Sequence, residues 1–200
     1  MVETVQELDT KQRILLEGSR LFAERGYDAV SVREIVEAAG VKKPTLYYYF
    51  ENKEGLAAEI FKKFFEEQVR IREEALELDG DVRQTLVTHA VLITQWSREN
   101  TAIMLFAFSV WLGRSSLISQ QKYVADFEKT AHKTWVQFLV SKGLTQDQGI
   151  GVRKLYWAQL MLATLQIART GIFPDDVNAF AEEIAQHAMY GALGTKRDNA

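Results

Sequence analysis

Apolar residues recur three and four positions apart along most of the chain, which is the spacing of an amphipathic α-helix. In the first such segment Ile14, Leu21 and Phe22 share one face, and Gly26 follows as a helix terminator. Valine and isoleucine do not fall into runs of alternating polar and apolar residues, so the pattern leaves little room for a β-sheet. We therefore predict an all-α protein of about nine helices.

Residues that favour helix ends separate the predicted helices. Ser31, with Glu34 three residues later, has the pattern of a capping box, and Asn52 is placed as the N-cap of a long fourth helix. Pro44 is tolerated because it falls in the first turn of the third helix. We expect Pro174 to open the last helix. The predicted helices cover about residues 11–25, 32–39, 43–50, 53–78, 82–98, 101–112, 119–142, 146–169 and 174–190.

The second and third helices have the spacing of a helix-turn-helix. Gly40 supplies the backbone conformation of the turn between them, and Val41 fills the angle between the two helices. Leu46 and Phe50 are expected to anchor the third helix to the first. A solvent-facing helix surface with two tyrosines is expected to contact another molecule. At 100° per residue, the outward face of the third helix is made by Lys43, Pro44, Thr45, Tyr47 and Tyr48.

The segment from residue 26 to residue 56 resembles the DNA-binding signature of the tetracycline-repressor (TetR) family of bacterial regulators. This segment has the sequence GYDAVSVREIVEAAGVKKPTLYYYFENKEGL. The resemblance covers roughly the first sixty residues, and the remainder resembles the family only in the number and length of its helices. The matching positions are Phe22, Gly26, Tyr27, Ser31, Val32, Ile35, Ala39, Gly40, Val41, Thr45, Leu46, Tyr47, Phe50 and Lys53.

In the TetR family the second and third helices form the unit that recognises DNA, so the resemblance implies roles for individual residues. Five positions match those that face base edges: Arg33, Lys43, Pro44, Thr45 and Tyr47. Four match positions near phosphates: Ser31, Tyr48, Tyr49 and Lys53. The chemistry of these side chains agrees, because arginine and lysine donate to guanine, threonine and proline contact a thymine methyl group, and tyrosine and lysine bond phosphate oxygens. A small helical subdomain with half-buried surface tyrosines is the alternative interpretation.

The charge of the chain changes how such binding would work. The net charge is -3, and the first sixty residues contain eight Lys or Arg against eleven Asp or Glu. Binding to DNA is therefore expected to depend on a few placed donors, with a modest dependence on salt. The chain has no cysteine, which excludes disulfides, thiolate metal sites and a cysteine nucleophile.

The sequence also indicates a cellular location. The longest strongly apolar run, residues 102–112, is shorter than the roughly twenty residues of a membrane span. Glu3, Glu7 and Asp9 do not fit the positive start of a signal peptide. We therefore expect a cytoplasmic protein that needs no cofactor, metal or membrane.

Residues 61–200 carry sixteen of the twenty-two aromatic residues, including all four tryptophans. These side chains can form an ordinary core or line a cavity, and the two interpretations are nearly balanced. In the TetR family a small-molecule pocket lies among the middle helices, so the resemblance favours a pocket for a hydrophobic or amphipathic effector with one or two hydrogen-bonding groups. The candidate residues are Phe64, Trp96, Phe108, Trp111, Phe127, Trp135, Tyr156 and Gln159.

Two helices have more apolar surface than a single chain of this size is expected to cover. The eighth helix is apolar nearly all round, and the ninth has small residues on one face that allow another helix to approach closely. We therefore predict a two-fold homodimer, which suits a palindromic DNA operator with half-sites about 34–36 Å apart. The predicted interface residues are Trp157, Leu160, Met161, Thr164, Val177, Phe180, Ala181, Ile184 and Ala188.

These expectations combine into a ligand-responsive transcriptional regulator, predicted to be a repressor. Residues 1–52 are the predicted DNA-binding domain, and residues 53–200 are the predicted effector-binding and dimerisation domain. Within the second domain, residues 53–78 form a connecting helix and residues 195–200 are expected to be disordered. Activation instead of repression stays open, because the outcome depends on where the operator lies relative to a promoter.

Two other functional classes stay open at this point. One is an enzyme that acts on a small apolar metabolite, and the other is an architectural DNA-binding protein that responds to no ligand. His89, His132 and His187 are isolated from one another in sequence, so they are expected to be packed or surface histidines and not metal ligands or general bases. The acidic balance of the chain disfavours an architectural protein, which binds DNA through bulk positive charge.

Overall fold

The computed structural model describes residues 9–78, 80–112 and 116–194, with the backbone alone for residues 118–122. The described residues form nine α-helices and no β-strand, which confirms the predicted all-α fold. The predicted disorder of residues 195–200 lies outside them. The helices are α1 (Thr10–Arg25), α2 (Val32–Ala38), α3 (Lys43–Phe50), α4 (Lys53–Glu77), α5 (Val82–Glu99), α6 (Thr101–Trp111), α7 (Ile118–Ser141), α8 (Gln146–Thr170) and α9 (Val177–Leu193).

Side-chain caps explain why the helices start where the sequence predicted. Ser31 and Glu34 form the predicted capping box, in which the Ser31 side chain accepts from the Glu34 N–H and the Glu34 carboxylate accepts from the Ser31 N–H. The Asn52 side chain accepts a hydrogen bond of 2.8 Å from the Gly55 N–H at the start of α4. Both caps are local interactions, so the sequence pattern was sufficient to find them.

The ends of α9 differ from the prediction. The helix begins at Val177 and not at Pro174, because the Asp176 side chain accepts hydrogen bonds from the N–H groups two and three residues later. At its other end α9 continues beyond Tyr190 to Leu193.

The described residues between 9 and 66 and between 100 and 124 form one compact unit. In this unit α6 lies against α1, and the Phe106 ring centroid is 5.1 Å from those of Phe22 and Phe61. All three rings are at most 1% exposed. The helix-turn-helix belongs to the same unit.

The described residues between 67 and 99 and between 125 and 194 form a second compact unit. In it α8 packs against α9, and both helices pack against α5. The Leu155 side chain of α8 packs against Gly191 of α9, where a Cβ atom would lie 2.9 Å from a leucine methyl group. The interior of the unit includes Leu86, Leu139 and Tyr156.

The two compact units do not follow the predicted functional boundary at residue 52. Helices α4 and α7 each have residues in both units, and α6 belongs to the first unit. The predicted boundary divides the predicted DNA-binding part of the chain from the predicted effector-binding part, whereas the compact units are defined by packing. The boundary therefore stays a prediction. None of the helices in the described part of the chain has the length and hydropathy needed to cross a membrane.

Replacing Phe106 by alanine should lower the free energy of unfolding by about 3–5 kcal/mol, because it removes a fully buried ring from the first unit. Denaturant titration followed by circular dichroism measures the change. Leu112→Ala is the control, since Leu112 follows the end of α6 and is 53% exposed. That substitution should change stability by less than about 0.5 kcal/mol. Equal losses in the two variants would contradict the placement of α6.

Candidate nucleic-acid interface

The turn between α2 and α3 has the geometry that the sequence predicted. Gly40 has φ +65°, a left-handed conformation that strains residues with a side chain. The Val41 N–H donates to the Val36 carbonyl at 2.9 Å and so closes the turn. On α3, Leu46 and Phe50 are 0% and 5% exposed, which fixes the face that the helix turns inward.

The outward face of α3 is aromatic. Tyr47, Tyr48 and Tyr49 are 46%, 83% and 39% exposed, and the rings of Tyr48 and Tyr49 lie edge to face with centroids 5.0 Å apart. Pro44 is also exposed, while Thr45 is half-buried. The structure therefore brings the predicted α3 contact residues together on one accessible surface, which we call the α3 tyrosine face.

Ion pairs occupy many of the basic side chains near the helix-turn-helix. Arg33 pairs with Glu37 at 2.7 Å on α2, and this hydrogen bond raises the pKa of Arg33. Arg25 pairs with Glu34 at 2.6 Å. Exposed ion pairs of this kind are weak, so Arg33 can exchange its carboxylate for another acceptor at little cost. Among the described residues neither Lys42 nor Lys43 forms an ion pair, so unpaired positive charge lies at the start of α3.

Ser31 is engaged in the cap of α2. Its hydroxyl donates to the Glu34 carboxylate at 2.7 Å and accepts from the Glu34 N–H. Hydrogen bonds from the side chain and backbone of Ser31 and from the Arg25 side chain lower the pKa of Glu34 to about 2. The predicted contact of Ser31 with a phosphate would compete with this carboxylate for the hydroxyl proton.

Lys53 is also engaged within the protein. Its ammonium donates to the carbonyls of Tyr27 and Val30 at 3.0 and 2.9 Å and lies 4.1 Å from the centre of the Tyr27 ring. These contacts tie the start of α4 to the segment between α1 and α2. A lysine has three donors, so one remains for the predicted phosphate contact.

The eight residues predicted to line an effector pocket fall into both compact units. Phe64, Phe108 and Trp111 belong to the first unit, and Trp111 is 45% exposed. In the second unit Trp135 and Tyr156 are nearly fully buried, with ring centroids 5.9 Å apart. The same unit contains Trp96, Phe127 and Gln159.

A buried hydrogen-bonded pair lies beside Trp135. The Tyr156 hydroxyl donates to the Leu86 carbonyl at 2.9 Å and lies 2.7 Å from His89 Nδ1. Because the hydroxyl has a single proton, His89 Nδ1 must be the donor in the second bond, and the imidazole is neutral. Burial, together with the positive charge of Arg72, lowers the pKa of His89 to about 3.

The histidines do not gather into a metal site. Within residues 9–78, 80–112 and 116–194, no group of three or more His, Asp or Glu side chains is arranged to hold a metal ion. His89 has its ring in a buried hydrogen bond, and burial lowers the pKa of His132 as well. That the protein needs no cofactor stays a prediction.

The predicted dimer residues need a correction, because five of the nine are buried inside the chain itself. Their side chains already serve the packing of one protomer: Leu160, Thr164, Ala181, Ile184 and Ala188 are at most 6% exposed. The other four, Trp157, Met161, Val177 and Phe180, are half-buried. The large apolar side chains that α8 and α9 expose are instead Leu155, Leu162, Tyr190 and Leu193.

The family described as bacterial regulatory proteins, tetR family, matches residues 14–60, which include α2, the glycine turn and α3. Residues 14–60 of the chain are thus similar to the tetR family. The matched segment holds the predicted base-edge and phosphate positions, so the family match and the exposed α3 tyrosine face refer to the same part of the molecule.

Curated relatives match mainly over the first part of the chain. The transcriptional repressor DhaR of Mycobacterium sp. is 34% identical over 67 residues, which cover 34% of each protein. The transcriptional repressor KstR2 of Rhodococcus jostii is 39% identical over 66 residues, or 33% of this chain and 32% of the relative. The chain thus aligns with about a third of the length of these curated relatives. An uncharacterised HTH-type transcriptional regulator of Mycobacterium tuberculosis, Rv2250c, is 26% identical over 192 residues, covering 92% of this chain and 95% of the relative.

Solved structures extend the likeness of fold to nearly the whole chain. The fatty acid degradation regulator FadR from Bacillus halodurans has a TM-score of 0.73 at 18% identity and covers 96% of this chain and 98% of its own. FadR from Bacillus subtilis, solved in complex with stearoyl-CoA, has a TM-score of 0.69 at 17% identity and covers 90% of this chain and 98% of its own. At these identities the likeness shows the fold.

One residue of the tetR-type segment was missed by sequence reasoning. A Cβ atom at Gly55 would lie 2.0 Å from the Phe50 carbonyl oxygen, so only glycine lets the end of α3 approach α4. Its signal in the sequence is weak, because a glycine in the first turn of a helix has no single meaning.

The stability of the protein should depend on pH through His89. The unfolded histidine binds a proton below its ordinary pKa of about 6.5, whereas the folded one does so only near 3, so the folded state loses stability as the pH falls from 6.5 towards 3. The slope of this contribution is up to about 1.4 kcal/mol per pH unit.

The comparison of the wild type with His89→Gln tests this dependence. At pH 8 the difference in free energy of unfolding reports only the lost packing and hydrogen bond. Between pH 8 and pH 5 that difference should shrink by about 2 kcal/mol, since only the wild type has the buried imidazole. A difference that stays constant from pH 8 to pH 5, measured by urea denaturation, would rule out a buried neutral His89.

Proposed function

We propose that the protein is a ligand-responsive transcriptional repressor that binds a palindromic DNA operator as a homodimer and is released by a hydrophobic or amphipathic small molecule. Residues 1–52 would bind DNA, and residues 53–200 would bind the effector and form the dimer. The observation that carries this proposal is the α3 tyrosine face, which is exposed on a helix whose opposite face is buried. The match of residues 14–60 to the tetR family supports the same function.

DNA recognition would use two sets of groups. Arg33, Lys43, Pro44, Thr45 and Tyr47 would contact base edges in the major groove, and Ser31, Tyr48, Tyr49 and Lys53 would contact phosphates. The free ammonium groups at the start of α3 would approach the DNA first, since the neighbouring arginines are held by carboxylates. Because the segment is net negative, few phosphates would be neutralised and the salt dependence would be modest.

The dimer would form through the exposed apolar faces of α8 and α9. A shallow groove of about 390 Å³ lies on α8 and is lined by Leu162, Leu165, Gln166, Arg169 and Thr170. Leu162 is 68% exposed, which is unusual for a large apolar side chain in the middle of a helix. A second copy related by two-fold symmetry would cover this face and present two α3 helices to successive major grooves.

Release by an effector would use the continuity of α4. This helix starts next to α3 and continues into the second compact unit. A ligand that favours one position of α4 would change the spacing of the two α3 helices. A hundredfold loss of operator affinity requires about 2.7 kcal/mol of differential ligand binding between the two conformations. The complex of Bacillus subtilis FadR with stearoyl-CoA, an amphipathic molecule, supports this class of effector.

Selection of bound duplexes from a random pool, followed by gel-shift titration, tests DNA binding directly. The selected sequences should be palindromic. Replacing Tyr47 by alanine should then weaken operator binding by about 1–3 kcal/mol, because it removes a contact to a base edge. Tyr123→Ala is the control, since it removes the same atoms from a tyrosine that is 51% exposed on α7. Unchanged affinity of the Tyr47 variant, or equal losses in both variants, would discredit the α3 tyrosine face.

Replacing Leu162 by aspartate should dissociate the dimer, because the substitution places a charge in the centre of the proposed interface. We expect self-association to weaken by about a hundredfold, or roughly 2.7 kcal/mol, with a parallel loss of operator affinity. Sedimentation velocity over a range of protein concentrations measures the change. Val140→Asp on α7 is the matched control, because Val140 is another exposed apolar residue, at 38%. A wild-type protein that sediments as a monomer at micromolar concentration would end this part of the proposal.

A further inference from the structure

Two neighbouring polar side chains of α4 are buried in the second compact unit. Gln68 and Arg72 are each 6% exposed and lie one helical turn apart, on the same face of α4. Arg70, between them in sequence, is by contrast exposed and pairs with Glu67 and Glu74. The helix therefore turns one arginine towards solvent and the other into the protein.

The buried pair has donors without acceptors. Gln68 Nε2 and Arg72 Nε form no hydrogen bond with any described residue, and no carboxylate of the described chain is within ion-pair distance of Arg72. The guanidinium lies 5.7 Å from the centre of the Phe127 ring on α7. Desolvation lowers the pKa of Arg72, and the charge of Glu73, the next residue, opposes this only in part.

A buried charge and buried donors without partners destabilise the folded protein unless a bound molecule supplies the counter-ion and the acceptors. A buried charge normally has a counter-ion, and buried donors normally have acceptors. The nearby polar pair of α5 and α8 supplies no counter-ion, because the Tyr156 hydroxyl, which donates to Leu86, and the His89 imidazole are both uncharged. The positive charge of Arg72 is felt at His89, so the cluster carries excess positive charge and excess donors. A ligand with negatively charged acceptor oxygens would balance both.

We propose that Arg72 and Gln68 bind the anionic group of the effector, a carboxylate or a phosphate, whose apolar part lies against Phe127. This inference rests on the proposed function, because it names the chemical class of the effector that would release the operator. Arginine suits the role, since its planar guanidinium donates two parallel hydrogen bonds to either anion and cannot lose its charge. The amide of Gln68 would donate a third.

Four amphiphiles with the same twelve-carbon chain test the inference on the full-length protein. These are dodecanoate, dodecyl phosphate, dodecanol and dodecyltrimethylammonium, each used below the concentration at which it forms micelles. Binding is measured by tryptophan fluorescence and by calorimetry. The two anions should bind at least tenfold more tightly than the alcohol or the cation. The tighter of the two anions then distinguishes a carboxylate effector from a phosphate effector.

Two substitutions separate the buried arginine from its exposed neighbour. Arg72→Gln should weaken binding of both anions at least tenfold and leave binding of the alcohol unchanged, since only the anions use the charge. Arg70→Gln, at the exposed position of the same helix, should leave all four affinities at their wild-type values. Equal anion affinities in the wild type and the Arg72 variant would overturn the inference.

Thermal unfolding distinguishes a ligand site from a structural role of Arg72. If the guanidinium is unpaired in the ligand-free protein, Arg72→Met should unfold at or above the wild-type temperature when no ligand is present. Addition of dodecanoate should raise the unfolding temperature of the wild type and leave that of Arg72→Met unchanged. A lower unfolding temperature of ligand-free Arg72→Met would show that Arg72 supports the fold and would contradict the inference. Gln68→Leu leaves the charge in place and should still weaken anion binding severalfold, so the test does not depend on one variant.

A gel shift on the selected operator keeps this inference separate from the proposed function. Release of the operator by dodecanoate or dodecyl phosphate, lost in Arg72→Gln, would support both. Release by dodecanol or dodecyltrimethylammonium alone would overturn the anion site and leave the repressor function in place. If no duplex is selected, the proposed function fails, and the calorimetric comparison of the Arg72 and Arg70 variants still decides whether the anion site exists.

Discussion

The burial of Leu46 and Phe50 is the constraint on which the proposed activity depends. Residues on an α-helix follow one another at 100°, so fixing two side chains in the interior fixes the direction of all the others. With Leu46 and Phe50 nearly fully buried, Tyr47 and Tyr48 must face solvent. The glycine turn before α3 and the close approach at Gly55 after it hold the helix in that rotation. Packing in the first unit thereby produces a surface that its own interior does not use.

The two units differ in the exposure and pairing of their arginine side chains. Around the helix-turn-helix, carboxylates hold Arg25 and Arg33 in exposed pairs that can be exchanged for another anionic group at little cost. In the second unit Arg72 is withdrawn from water with no carboxylate partner in the described chain. The first arrangement suits recognition of a large anionic polymer at the surface, and the second suits capture of one small anion. A net charge of -3 is compatible with both arrangements, because the binding of an anion depends more on where single charged side chains lie than on the total charge of the chain.

Much of the fold could be predicted because it depends on local interactions. The capping box of Ser31 and Glu34, the N-cap at Asn52 and the turn at Gly40 involve residues within a few positions of one another, so their spacing in the sequence is their spacing in the structure. The helix-turn-helix and its outward face followed from the same short-range pattern. The start of α9 was misplaced because two signals compete there, and the carboxylate cap of Asp176 prevails over the proline before it.

The sequence by itself determined the helices, the similarity of residues 14–60 to the tetR family and the exposed tyrosines, since periodicity, caps and a short signature depend on neighbouring residues. Only the tertiary structure decided which of several apolar faces is covered. Periodicity shows that α8 and α9 have apolar faces, but the partner that buries each face comes from distant parts of the chain, and so Leu160 and Ala188 are interior while Leu162 is exposed. The burial of Arg72 could not be predicted either. In the sequence Arg72 is one arginine among the charged residues of an amphipathic helix, and the residues that cover it come from distant parts of the chain.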